Sequence, residues 1–211
     1  TQGPTITDNQ TGDDTWKNVS GTTYNIDFSD NNSLLSYAQY TIYSNTGLTG
    51  STLKDWTNIA TSINAAAYTD NWQVDFASCQ NGTNYVSVRV YDNLNNLSTL
   101  SDVFYVKKDT TNPAITDNQT GDDIWRGLSG TTYNMDFTDT GNSNLSYAQY
   151  TVWTNTGQTG TQVKTWTNIA TSINSANYTT DWTIDFSVLQ ETTNYVSVNV
   201  FDNAGNSATL N

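Results

Sequence analysis

Apolar and aromatic side chains recur at every second position in short runs along this chain, and Gly, Asn, Asp and Ser cluster between the runs. A two-residue period marks strands with one face buried and one face wet. Residues 23–28 set Tyr24, Ile26 and Phe28 on one face. Residues 35–43 set Ala38, Tyr40 and Ile42 against Tyr37, Gln39, Thr41 and Tyr43, and residues 72–76 and 85–91 alternate in the same way. The pattern predicts about seven strands in the first half, near residues 4–8, 22–28, 36–43, 52–57, 71–76, 84–91 and 101–107. Residues 59–68, with Ala60 and Ala65–Ala67, break the alternation and read as a loop with one helical turn.

The pattern then repeats. The block from Ile6 to Asp14 recurs unchanged from Ile115 to Asp123, an offset of 109 residues. Ser36–Thr41 recurs at Ser146–Thr151 and Trp56–Asn64 at Trp166–Asn174, an offset of 110, so one residue is inserted between Asp30 and Ser36, in a predicted loop. A period of this length, with seven short strands inside it, predicts an all-β chain of two tandem two-sheet sandwiches, residues 1–108 and 109–211.

The turn from Cys79 to Tyr85, and its counterpart Leu189 to Tyr195, resembles the approach to strand F in fibronectin type III and immunoglobulin-like domains. That resemblance implies that Tyr85 and Tyr195 are tyrosine corners. Residues 200–206 and the segment Asp109 to Pro113 resemble the strand end and linker of bacterial Ig-like repeats found in tandem in large surface or fibre proteins. The resemblance covers both copies and implies an Ig-like sandwich; this fold hosts many roles, so it implies no single one. Trp56 and Trp72, which recur as Trp166 and Trp182, are expected in structural positions. Pro113 fixes a backbone angle in a join from Lys107 to Pro113 that should be short and semi-rigid.

The copies end differently. The first runs through Val103-Phe-Tyr-Val106 into Lys107-Lys108, whereas residues 109–211 stop at Leu210-Asn211, short of that final strand. Three explanations are open: the sequence is cut from a longer array, a neighbouring chain supplies the strand by head-to-tail β-addition, or the domain tolerates the loss.

Charge narrows the partners. Twenty acidic residues face seven basic ones, a net charge of −13, and there is no His. Such a chain repels phosphate backbones and anionic headgroups, which argues against nucleic acid and membrane surfaces. Neighbouring repeats or copies of itself, multivalent cations and neutral glycans are the partners that remain. No stretch is long and apolar enough to insert into a membrane, and richness in Thr, Asn and Ser with little Lys favours an extracellular or cell-surface setting.

Candidate chemistry is sparse. Asp13 and Asp14, Asp122 and Asp123, and Asp92 and Asp109 near the junction form oxygen-rich clusters of the type that binds Ca2+; Asx-turns and strand caps explain the same residues without an ion. The Asp117–Asp123 stretch lacks the bidentate Glu of an EF-hand. Seven Trp and 13 Tyr suggest sugar-stacking platforms, although rings shared by both copies are equally explained by a common core. The lone Cys79 aligns with Leu189 and is expected to be a buried, inert thiol. Several Asn-x-Ser/Thr triplets offer glycan acceptors, and Lys54 and Lys164 match across copies as crosslink or strand-edge lysines. No nucleophile elbow, phosphate loop or zinc signature is present, so the expected role is not enzymatic. It is that of a stalk, spacer or filament subunit, with a glycan- or protein-binding sandwich as the alternative.

Overall fold

The computed structural model describes residues 2–120 and 122–211, which divide into two compact units, Thr1–Lys108 and Asp109–Asn211. Domain one contains β1 (Thr5–Asp8), β2 (Trp16–Lys17), β3 (Ile26–Ser29), β4 (Leu35–Asn45), β5 (Thr49–Ala60), β6 (Ala67–Tyr68), β7 (Gly82–Asp92) and β8 (Leu97–Lys108). Domain two contains β9 (Ala114–Asp117), β10 (Thr132–Tyr133), β11 (Met135–Thr138), β12 (Leu145–Asn155), β13 (Thr159–Ala170), β14 (Asn177–Tyr178), β15 (Trp182–Thr183), β16 (Tyr195–Asp202) and β17 (Ser207–Leu210).

Each domain is an immunoglobulin-like sandwich. In domain one a small sheet, β1-β3-β6, faces a larger one, β2-β8-β7-β4-β5; in domain two the counterparts are β14-β11-β9 and β13-β12-β16-β17, with β10-β15 as a separate pair. The alternation in the sequence decides which side chains meet between the sheets. Tyr24, Ile26 and Phe28 project from one layer, and Ala38, Tyr40, Ile42, Val86, Val88 and Val90 from the other, all at 5% exposure or less. Each fully buried Val, Leu, Ile or Phe side chain contributes about 1.5–3 kcal/mol relative to its exposed state. Domain two repeats this core with Phe137, Tyr150, Val152, Val198 and Val200.

Two expectations are corrected. Residues 71–76 do not form a strand in domain one: a single bridge joins Tyr24 to Trp72, and the chain then turns through a 3-10 turn at Phe76–Ser78. The alternation there records Trp72, Val74 and Phe76 packing against the core, not membership of a ladder. Residues 59–68 carry no helical turn. Ile59 and Ile63 pack on the core, Ser62 and Asn64 take left-handed backbone angles, and the amides of Ile63 and Asn64 bond the carbonyls of Ser36 and Leu35. Alanine's helix propensity is a weak preference, and these packed contacts override it.

The final strand distinguishes the two copies. β8 runs for twelve residues, whereas β17 has four, Ser207–Leu210, paired only with Phe201–Val198.

Candidate metal centre

Three aspartates converge at one end of domain two. Asp139 follows β11, Asp202 closes β16, and Asp109 opens the domain one residue after β8 ends. Asp109 is fully buried, with Asp139 and Asp202 4% and 3% exposed. A carboxylate oxygen from each lies within 4.8 Å of the others. None of the three takes part in an ion pair among the described residues.

Local backbone geometry builds the cluster. Asp139 begins a tight turn in which its Oδ1 accepts from the Gly141 amide at 2.7 Å. The next two amides, of Asn142 and Ser143, both donate to Asp109 Oδ2 at 2.9 Å, and the Thr111 amide donates to Oδ1 at 2.9 Å. Asp202 Oδ1 accepts from the amides of Ala204 and Asn206, while Asn206 Nδ2 spans Asp202 Oδ2 (2.7 Å) and the Asp109 carbonyl (3.0 Å). Glycine is required at 141, because a Cβ there would run into the Asp109 carboxylate.

Electrostatics divides the three. Burial pushes the Asp109 carboxyl up, but the amides of Thr111, Ser143 and Asn142 and the Ser143 side chain outweigh it and hold the group below its ordinary value. Asp139 goes the other way: burial raises it, and the nearby charges of Asp109 and Asp202 raise it further. A buried carboxylate pressed by two others is a charge lacking compensation within the protein. The donor set is all oxygen, with no thiol or imidazole, and suits a hard divalent cation such as Ca2+, which takes six to eight oxygens at about 2.3–2.6 Å.

Domain one has two-thirds of this arrangement. Asp30 and Asp92, the counterparts of Asp139 and Asp202, meet across the Ser33 hydroxyl, which lies 2.8 Å from Asp30 Oδ2 and 2.5 Å from Asp92 Oδ2. Burial raises the Asp92 carboxyl, yet the Ser33 and Asn96 side chains and the amides of Asn96 and Leu94 bring it down to about 2. No third carboxylate joins them among the described residues.

The sequence-predicted acids thus fall into separate places. Asp109 is in the three-carboxylate cluster and Asp92 in the two-carboxylate one. Asp13 and Asp14 lie in a turn before β2, where Asp14 pairs with Lys107 at 2.9 Å; Asp122 and Asp123 occupy the matching exposed turn. Asp139 and Asp202 escaped the sequence reading. Their signal was the recurrence of Asp30 and Asp92 in both copies, each followed by its capping residue: Ser33 or Ser143, Asn96 or Asn206.

The remaining singled-out residues are distributed between core and outer face. Trp72 and Trp182 are buried at 6% and 7% exposure, and Pro113 is buried. Tyr85 and Tyr195 lie on the faces of β7 and β16 away from the core, with Tyr195 37% exposed. Trp56 and Trp166 are half-buried, and the Arg89 guanidinium sits 4.3 Å above the Trp56 ring. Beside it Tyr37 stacks on Tyr91 at 4.5 Å, a pairing that Tyr147 and Phe201 repeat. Cys79 is buried and burial pushes its thiol up to about 11. Lys54 and Lys164 each bond an aspartate, Asp75 and Asp185, at 2.7 and 2.8 Å.

The sheet orders and registers define two immunoglobulin-like β-sandwiches in tandem. No protein-family model matches the chain, and no curated protein matches it. Among solved structures it is similar to a tetra-tandem repeat in the extending region of a large adhesion protein, at 18% identity and a TM-score of 0.36, over 98% of this chain and 47% of that one. It is also similar to fibronectin(III)-like modules of Clostridium thermocellum CbhA (11% identity, TM-score 0.36, 97% and 88% of the two chains). A third neighbour is the calcium binding domain CBD12 of CALX1.1 (11% identity, TM-score 0.25, 89% and 75%). The chain spans about half the length of the adhesion-protein structure. Among the described residues no helix is long and apolar enough to cross a membrane.

Proposed function

We propose that this chain is a structural repeat unit of an extracellular fibre or adhesin, and that a calcium ion held by Asp109, Asp139 and Asp202 locks the start of domain two onto its body. One observation carries the reading: three buried carboxylates within 4.8 Å of one another, none of them in an ion pair among the described residues. Asp109 follows directly on Lys108, the last residue of β8. An ion on Asp109 therefore ties the first residue of domain two to the body of that domain. The ion's chemistry here is charge compensation and crosslinking of the linker to the ends of β11 and β16; the chain itself contributes the amide donors that hold each carboxylate in place.

The test is a calcium titration of the intact chain by calorimetry, with thermal unfolding followed in parallel. One ion per chain is expected, because among the described residues of domain one no third carboxylate joins Asp30 and Asp92. A ligand bound only to the folded state raises stability by about 2.7 kcal/mol at a hundredfold excess over Kd, so the domain-two transition moves up with calcium and back with chelator. Asp202→Asn abolishes both effects and Asp92→Asn neither. An unfolding profile indifferent to calcium and chelator would refute the ion.

Neutral-glycan binding is a second reading, favoured by the half-buried aromatic residues on the outer faces, Tyr37, Tyr91, Trp56 and their counterparts. Binding of neutral oligosaccharides that is lost in Trp166→Ala with unchanged melting would support it. No response on a broad glycan panel would remove it.

A further inference from the structure

Domain two has a groove of about 440 Å³ at the start of β12, with Ser146, Tyr147, Asn168, Ser172, Asn174 and Asn203 among its walls. Small-ligand sites span about 300–1,000 Å³. No side chain lining this groove is charged. Hydroxyls and carboxamides can both donate and accept hydrogen bonds, whereas Lys and Arg only donate and carboxylates only accept.

The groove is fixed by bonds within the domain. The amides of Ile173 and Asn174 donate to the carbonyls of Ser146 and Leu145 at 2.9 and 2.8 Å, which pins the loop 171–174 to β12. Asn203 Nδ2 donates to the Ser143 carbonyl at 2.8 Å and to Asn174 Oδ1 at 3.3 Å, so the Asn203 Oδ1 is left to accept. Gln149 Nε2 donates to Asn168 Oδ1 at 2.9 Å, which leaves the Asn168 Nδ2 to donate. Tyr147 stacks on Phe201 at 4.5 Å, and that contact holds its ring. Groups fixed in advance lose little freedom when a ligand arrives.

Domain one keeps the same residue types, as Ser36, Tyr37, Asn58, Ser62, Asn64 and Asn93, but their surroundings differ. There Arg89 Nε donates to Gln39, Gln39 Nε2 donates in turn to Asn58, and the guanidinium lies 4.3 Å above Trp56. Domain two has Asn199 at the place of Arg89, which gives Asn168 and Trp166 no such cation. Beside Asn93 stands Leu94, 68% exposed, where the smaller Ala204 follows Asn203.

We propose that the groove of domain two binds a neutral oligosaccharide, with one sugar ring laid on Tyr147, its hydroxyls bonded to Asn168, Asn174 and Asn203, and further sugars running toward Trp166. A sugar offers hydroxyls that donate and accept, and C–H groups that suit the electron-rich face of an aromatic ring. The lining answers both. A net charge of −13 disfavours anionic sugars. This site rests on the neutral-glycan reading, to which it adds the place and the contacts.

The experiment titrates the intact, isotope-labelled chain with neutral di- to tetrasaccharides of glucose, galactose, mannose and N-acetylglucosamine, following its backbone amide and carboxamide NMR signals. Saturable shifts are expected at 146–147, 168, 171–174 and 203. Asn168→Ala weakens binding about twofold to tenfold, the worth of one hydrogen bond, at an unchanged melting temperature. Tyr147→Ala weakens it about tenfold, whereas Tyr147→Phe keeps the stacked ring and retains binding. Asn58→Ala in domain one leaves the domain-two shifts unchanged. If Trp166→Ala abolishes binding while Asn168→Ala and Tyr147→Ala do not, the groove is overturned and the glycan reading stands. If none of these saccharides shifts any signal, both fall. Tighter binding of sialylated counterparts would overturn the neutral class.

Discussion

Two residue positions tie local geometry to charge. Gly141 leaves room for Asp109, and any side chain there displaces a carboxylate that holds three amide donors. Gly141→Ala should destabilise domain two by about 1–3 kcal/mol, the usual cost of overpacking, and weaken calcium binding. Gly127→Ala, where a Cβ meets open space, should leave melting unchanged. Asp92 sets a pH response of the opposite sign to Asp139. Its folded-state carboxyl lies at about 2 against an ordinary 3.8, so it contributes stability above pH 3.8 that is lost as the pH falls toward 2. Asp139 is raised on folding, so without calcium it favours the folded state below its ordinary value and loses that contribution as the pH rises. Urea titrations at pH 2 to 7 in chelator should therefore show acid weakening of domain one through Asp92, with Asp139 offsetting such weakening in domain two. Asp139→Asn should remove that offset. Calcium affinity should drop on acidification, since its ligands must be deprotonated.

At the scale of elements, β8 does more than complete a sheet. Its second half places Phe104 and Val106 in the core and its end beside β2. Phe104→Ala should cost domain one about 3–5 kcal/mol, as for other buried aromatic truncations, measurable as a lowered denaturant midpoint at constant slope. The same truncation at Tyr105, which is half-buried on the outer face, should cost far less. The sequence placed most strands correctly because one buried face leaves a two-residue trace. It misplaced residues 71–76, where Trp72, Val74 and Phe76 give that trace while packing from irregular backbone. Short pairings such as Ala67–Tyr68 with β3 left no trace, because a two-residue contact has no period.

For the whole molecule, two domains with one sequence pattern should differ in stability. Domain two has the same central core but lacks counterparts of Val103, Phe104 and Val106. Calorimetry of the intact chain in chelator should resolve two transitions, the lower belonging to residues 109–211. Calcium should narrow the gap. A single cooperative transition under these conditions would contradict that independence.

The chain's own pattern determined that it is all-β, that it is built twice, and which face of each long strand turns inward, because burial of alternate side chains is a local property repeated along the sequence. Its net charge of −13 also argues against a strongly basic surface. Tertiary structure alone decided that Asp109, Asp139 and Asp202 share one site and that Asp30 and Asp92 share another. These facts depend on residues 30 to 93 positions apart meeting in space, and a meeting at that separation is set by sheet order and register, which no local pattern encodes.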